Sequence, residues 1–80
     1  MGRSGECIVE VYVPQLSKRL DLKLNVNMRI EDLITQIHRF VGSKKGPGVL
    51  AGSGECFFYD PGKTVSELGI RTGERVVYWF

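Results

Sequence analysis

The sequence predicts an α+β domain in which a mixed sheet of four to five strands packs on one helix. Three observations carry this. Residues 7–13 and 18–26 alternate with a period of two, residues 30–41 switch to a helical period, and the chain closes on the β-rich run Arg75-Val76-Val77-Tyr78-Trp79-Phe80. With 80 residues there is one small core and little room for a deep cleft. A flexible N-terminus over residues 1–6 and a single domain over residues 7–80 are expected.

The first strand is Cys7-Ile-Val-Glu-Val-Tyr-Val13, rich in β-branched residues. Val9, Val11 and Val13 share one face; Ile8, Glu10 and Tyr12 share the other. Pro14 cannot donate to a ladder, so a turn over residues 14–17 ends the strand. In the second strand Leu20, Leu22, Leu24 and Val26 point inward, and Arg19, Asp21, Lys23 and Asn25 point to water. The short gap makes the pair an antiparallel hairpin.

Ile30, Leu33, Ile34, Ile37 and Val41 then form one helical stripe, with Phe40 at its edge. Glu31 and Asp32 lie in the first turn, where they complement the helix dipole; Asn27 is the expected N-cap, with Arg29 nearer the start. Gly42 suits a left-handed C-cap. A glycine-rich stretch follows: a loop over 42–47, a short strand at Val49-Leu50-Ala51, and a tight turn at Gly52-Ser53-Gly54. Residues 55–59 read as another strand, and Asp60-Pro61-Gly62 as a turn. Thr64 and Glu67 have the spacing of a capping box over one short helical turn, ended by Gly69. The last strand has no hairpin neighbour, and the open place for it is beside the first strand.

A composition of 42% hydrophobic and 25% charged residues suits a folded domain, not a disordered tail. Eleven basic residues against nine acidic ones give a net charge of +2, too mild to argue for nucleic acid. The apolar runs are too short to cross a bilayer and the first residues do not resemble a signal peptide, so the expected location is cytoplasmic, without membrane insertion. Cys7 and Cys56 are then expected as reduced, partly buried thiols.

No chemistry-bearing motif survives inspection. Gly62-Lys63-Thr64 ends like a phosphate-binding loop, but Phe57 stands where the motif needs glycine and Gly69 cuts the helix short. Gly46-Pro-Gly-Val-Leu-Ala51 fits a loose dinucleotide pattern without the βαβ unit that would give it meaning. His38 is the only histidine, with no paired nucleophile or ligand partner, and is expected to be solvated. His38, Arg39, Lys44 and Lys45 read as a solvated basic loop. No catalytic, cofactor-binding or metal-binding residue is expected, and no cofactor; the domain is expected not to be an enzyme.

Three segments resemble the ubiquitin-like β-grasp: Arg19-Leu-Asp-Leu-Lys-Leu24, Ile30-Glu-Asp-Leu33, and Lys63-Thr-Val-Ser-Glu-Leu-Gly-Ile70 continuing through Arg71-Thr-Gly-Glu-Arg-Val76. The last is the most specific. Together they are similar to the ubiquitin-like domains of bacterial type VII secretion, the small YukD/EsaB-like proteins and the N-terminal domain of EccD-like membrane components. The chain departs from that pattern at Asn25-Val26, where proline is usual, and at Glu74, where aspartate is usual. The resemblance implies a non-catalytic adaptor that docks on cytosolic parts of a membrane secretion machinery, at the inner face of the membrane through a partner.

Ubiquitin-like modifiers and sulfur carriers work through a flexible Gly-Gly tail; Tyr78-Trp79-Phe80 reads as a strand instead, an expectation against conjugation. The alternatives are a modifier or sulfur carrier whose Gly-Gly lies beyond Phe80, and a ubiquitin-like interaction domain of a larger protein. Function is then expected on the outer sheet face, at Ile8, Tyr12, Val77 and Trp79, with Leu50 or Ala51 near the edge, and with Tyr12, Val77 and Trp79 forming one apolar patch for a protein partner. A homodimer through such a surface is left open.

Overall fold

The computed structural model describes residues 5–42, 46–52, 54 and 58–80. Strands β1 (Glu6–Val13) and β2 (Lys18–Asn25) pair antiparallel along their full length, Glu6 opposite Asn25 and Val13 opposite Lys18. Between them Pro14–Leu16 forms a single 3-10 turn, closed by Ser17 in the left-handed region with its N–H donated to the Pro14 carbonyl at 3.1 Å. β1 starts one residue before its expected place, because Gly5 already accepts from the Val26 N–H at 2.9 Å and extends the ladder. Of the N-terminal segment expected to be flexible, residues 1–4 lie outside the described residues.

Helix α1 (Ile30–Val41) buries Ile30, Leu33, Ile34 and Ile37, the expected stripe. Gly42 caps it at φ 70°, with its N–H on the His38 carbonyl. The start differs from expectation. Arg29 occupies the N-cap and supplies no side-chain bond, while Asn27 donates its N–H to the Asn25 side chain. The orphan amides of the first turn are satisfied across the fold: Ile30 N–H donates to Lys63 O at 2.9 Å and Glu31 N–H to Pro61 O at 3.0 Å. A distant loop does the work that a capping side chain does elsewhere.

Strands β3 (Val49–Gly52) and β4 (Arg75–Trp79) complete a four-stranded sheet of order β2-β1-β4-β3. β4 lies parallel to β1, with Val11 opposite Val76, and antiparallel to β3. The last strand therefore fills the place beside the first, as its lack of a hairpin partner predicts. Of the strand expected at 55–59, residues 55–57 lie outside the described residues, as do Ser53 of the expected turn and Lys44, Lys45 and Cys56. Phe58 makes an isolated bridge to Ala51, and Tyr59 N–H donates to Leu50 O at 2.8 Å.

The core lies between α1 and the inner sheet face. Val9, Val11, Val13, Leu24, Ile30, Leu33, Ile37, Leu50, Val65, Val76 and Tyr78 are fully buried. Leu20 and Leu22 are half-buried against it. The Thr64–Glu67 capping box forms in both directions: Thr64 N–H donates to Glu67 Oε1 at 2.8 Å and Glu67 N–H to Thr64 Oγ1 at 3.1 Å. Leu68 N–H closes the expected single turn on Thr64 O at 3.2 Å. This turn delivers Val65 and Ile70 to the core.

Candidate docking face

The outer face of the sheet is built in rows, because residues opposite one another on paired strands share a face. One row runs Arg19, Tyr12, Val77, Ala51 across all four strands. The next toward the open end of β4 is Val49 with Trp79. Phe58 makes an isolated bridge to Ala51, on the same row. Tyr12 and Val77 are half-buried, whereas Trp79, Val49 and Phe58 are 43%, 40% and 57% exposed. These side chains form a contiguous apolar surface of aromatic and branched residues, the composition of an interface centre.

Three of the five residues expected at the site, Tyr12, Val77 and Trp79, come together here. Ile8 is on the same face and half exposed, but it stands apart. Between it and Tyr12 lies Glu10, clamped by Arg75 Nε at 3.0 Å and Arg19 Nε at 3.7 Å. This ion-paired row separates Ile8 from the aromatic cluster. Leu50 requires a correction. It lies opposite Tyr78 on β4 and points with it into the core, where it is fully buried. The strand parity set by Tyr78 decides this, and Val49 takes the outward place. Val49 and Phe58 were missed because the register of β3 on β4 cannot be read from a four-residue strand among glycines.

Two details behind the face fix Trp79. The Tyr78 hydroxyl, fully buried, accepts from Gly48 N–H at 2.8 Å and lies 3.0 Å from His38 Nδ1. His38 is therefore half-buried and hydrogen-bonded, not solvated as the sequence suggests; the tyrosine that binds it comes from 40 residues away. Gly48 packs so closely that a Cβ there would stand 1.7 Å from the Trp79 carbonyl oxygen. At the end of β4, Gln15 Oε1 accepts from Phe80 N–H at 2.7 Å while its Nε2 donates to Phe80 O, an amide serving as a strand partner.

Elsewhere the described residues offer little chemistry. They hold no group of three or more His, Cys, Asp or Glu side chains placed to bind a metal, and no helix long and apolar enough to cross a membrane. Cys7 is a free thiol whose pKa is pushed up, first by burial and then by the Glu74 carboxylate. Glu67 is held below the usual carboxylate range, first by the Thr64 backbone N–H and, further, by the Thr64 hydroxyl, Lys63 and Arg29. Gln36, Arg39 and Phe40 line an open, shallow depression on the outer side of α1.

A four-stranded mixed sheet with a parallel central pair, curled on one helix, is the ubiquitin-like β-grasp fold. Solved structures agree. Ubiquitin from Caldiarchaeum subterraneum superposes with a TM-score of 0.80 at 16% identity, covering 94% of this chain and 92% of that one. The ubiquitin-like domain of Plasmodium falciparum Dsk2 gives 0.77 at 13% identity, covering 92% of this chain and 96% of that one. A chain of a toluene 4-monooxygenase complex with 4-bromobenzoate gives 0.81 at 11% identity, covering 94% and 98%. No family model and no curated protein matches the sequence.

Proposed function

We propose that this chain is a non-catalytic ubiquitin-like docking module, an adaptor of a bacterial type VII secretion system that binds a protein partner through its outer sheet face. The observation that carries the docking role is the surface on which exposed Trp79, Val49 and Phe58 adjoin half-buried Tyr12 and Val77. An apolar cluster of this kind gains affinity when a partner excludes water from it, and Trp and Tyr are the side chains most often found to dominate such contacts. Arg19 and Arg75, tied to Glu10 at its rim, offer orientation more than affinity.

The secretion assignment draws on the Thr64–Val76 segment and on Arg19–Leu24, which resemble the YukD/EsaB-like and EccD-like domains. In that role the domain acts in the cytoplasm, at the inner face of the membrane through its partner. A second reading, a ubiquitin-like interaction domain of a larger protein, is favoured by neighbours that are themselves such domains, in Dsk2 and in the 4931431F19Rik protein. The monooxygenase neighbour supplies a third outcome, association with a monooxygenase complex.

The test is capture of the cytosolic domain of a secretion ATPase or membrane component by the purified chain. Binding should fall at least about tenfold for Trp79→Ala, since truncating a central aromatic commonly costs ~2 kcal/mol or more. Capture that is indifferent to Trp79→Ala sinks the docking face. Capture of oxygenase subunits instead of secretion components replaces the secretion reading while keeping the face.

A further inference from the structure

β2 is a terminal strand of the sheet, and among the described residues its ladder pairs only with β1. It runs eight residues without a bulge, since every residue from Lys18 to Asn25 has one partner on β1. It contains no proline. Such an edge is a template for a further strand.

Its hydrogen-bonding parity is known. Val26 N–H donates to Gly5 O, so the even-numbered residues of β2 exchange bonds with β1. On β1 the even residues turn the other way, as Glu10 N–H to Glu74 O shows. Arg19, Asp21 and Lys23 therefore aim their N–H and C=O groups at open solvent along the edge.

We infer that β2 pairs antiparallel with β2 of a second copy of this chain, about a two-fold axis at Leu22, to form a continuous eight-stranded sheet. The register follows from charge and parity. With Leu22 on the axis, Asp21 exchanges backbone hydrogen bonds with the partner copy's Lys23, and Lys23 with the partner copy's Asp21. On the inner face Leu22 meets Leu22, and Leu20 meets Leu24. The neighbouring registers fail. Centring on Asp21 opposes two aspartates and sets Arg19 against Lys23. Centring on Leu20 places Leu22 against Lys18. Of these registers, the one centred on Leu22 alone puts both the opposed charges and the paired leucines at the middle of the contact.

Two observations favour this partner. Leu20 and Leu22 are only half-buried against the core. Asp21 is exposed and makes no ion pair with any described residue, while Lys23 reaches Glu6 at a loose 3.5 Å. The contact is isologous and closes as a dimer, leaving the Trp79 face free on both copies. It does not rest on the secretion assignment.

Sedimentation equilibrium of the full chain over a concentration series tests this. The mass should rise from 9.0 kDa toward twice that value, with amide exchange at Asp21 and Lys23 slowing as the concentration rises. Asp21→Lys, or Lys23→Asp, should weaken association about tenfold by opposing like charges twice, and the double exchange should restore it. Asp21→Pro should abolish association while β1 and β2 stay paired, because that N–H faces the edge. Trp79→Ala should leave the constant unchanged. A chain monomeric to millimolar concentration overturns the inference. So does a double exchange that fails to restore association, or a dimer lost with Trp79→Ala.

Discussion

Tyr78 shows how much one residue decides. Its ring fills the core and stacks on Phe80 at 6.0 Å, and its hydroxyl joins α1 to the loop before β3 through His38 and Gly48. Tyr78→Phe keeps the packing but leaves the Gly48 N–H without its acceptor. The expected loss is about 1–3 kcal/mol in denaturant unfolding, the usual cost of a buried group left unbonded. Gly48→Ala should be worse. Its Cβ would overlap the Trp79 backbone, which cannot rotate away, so a loss of about 3 kcal/mol or more is expected, with local distortion of β4. Pattern reading places this glycine in a permissive loop; its neighbour across space makes it obligatory.

At the scale of the element, β3 carries the clearest lesson. Val49, Leu50 and Ala51 are consecutive and apolar, and only the Leu50–Tyr78 pairing says which of them faces the core. Leu50→Ala is expected to cost about 2–5 kcal/mol of stability, measured by chemical denaturation, as for other fully buried leucines. The Thr64 turn gives a second test. Thr64→Ala should destabilise by about 1 kcal/mol, the loss of a capping hydroxyl. Glu67 adds a pH dependence whose sign is fixed. Its folded-state pKa is depressed, so its contribution is present above the unfolded carboxylate pKa and is lost as pH falls through the folded value. Glu67→Gln retains an acceptor for Thr64 N–H and should flatten the stability profile in that acid range. Unfolding midpoints followed from neutral to acid pH would show the wild type converging on the variant.

For the whole molecule, the apolar face at Trp79 and the open edge of β2 lie on different parts of the sheet, and this separates their predictions. Trp79→Ala should change partner binding while altering the unfolding midpoint little, because the side chain is 43% exposed and outside the core. The edge of β2 should respond to none of this. Ion pairing contributes direction more than strength: Glu10 with Arg19 and Arg75, and Glu6 with Lys23, are exposed pairs worth at most about 1 kcal/mol each. Sheet order, in contrast, is what brings the first and last strands side by side and makes one surface of Tyr12, Val77 and Trp79.

The amino-acid pattern alone determined the strands of the hairpin, the buried stripe of α1, its Gly42 terminus and the Thr64–Glu67 box. Each is governed by contacts within a few residues, where side-chain period and spacing are sufficient. It also placed Tyr12, Val77 and Trp79 on the outward parity of their strands. The tertiary structure alone decided that Leu50 turns inward, that Val49 and Phe58 join the face, and that Ile8 is cut off by Glu10 and its arginines. It also decided that backbone from residues 61–63 caps α1, and that His38 is held by Tyr78. These depend on which strand lies against which and in what register, a long-range choice that no local period encodes.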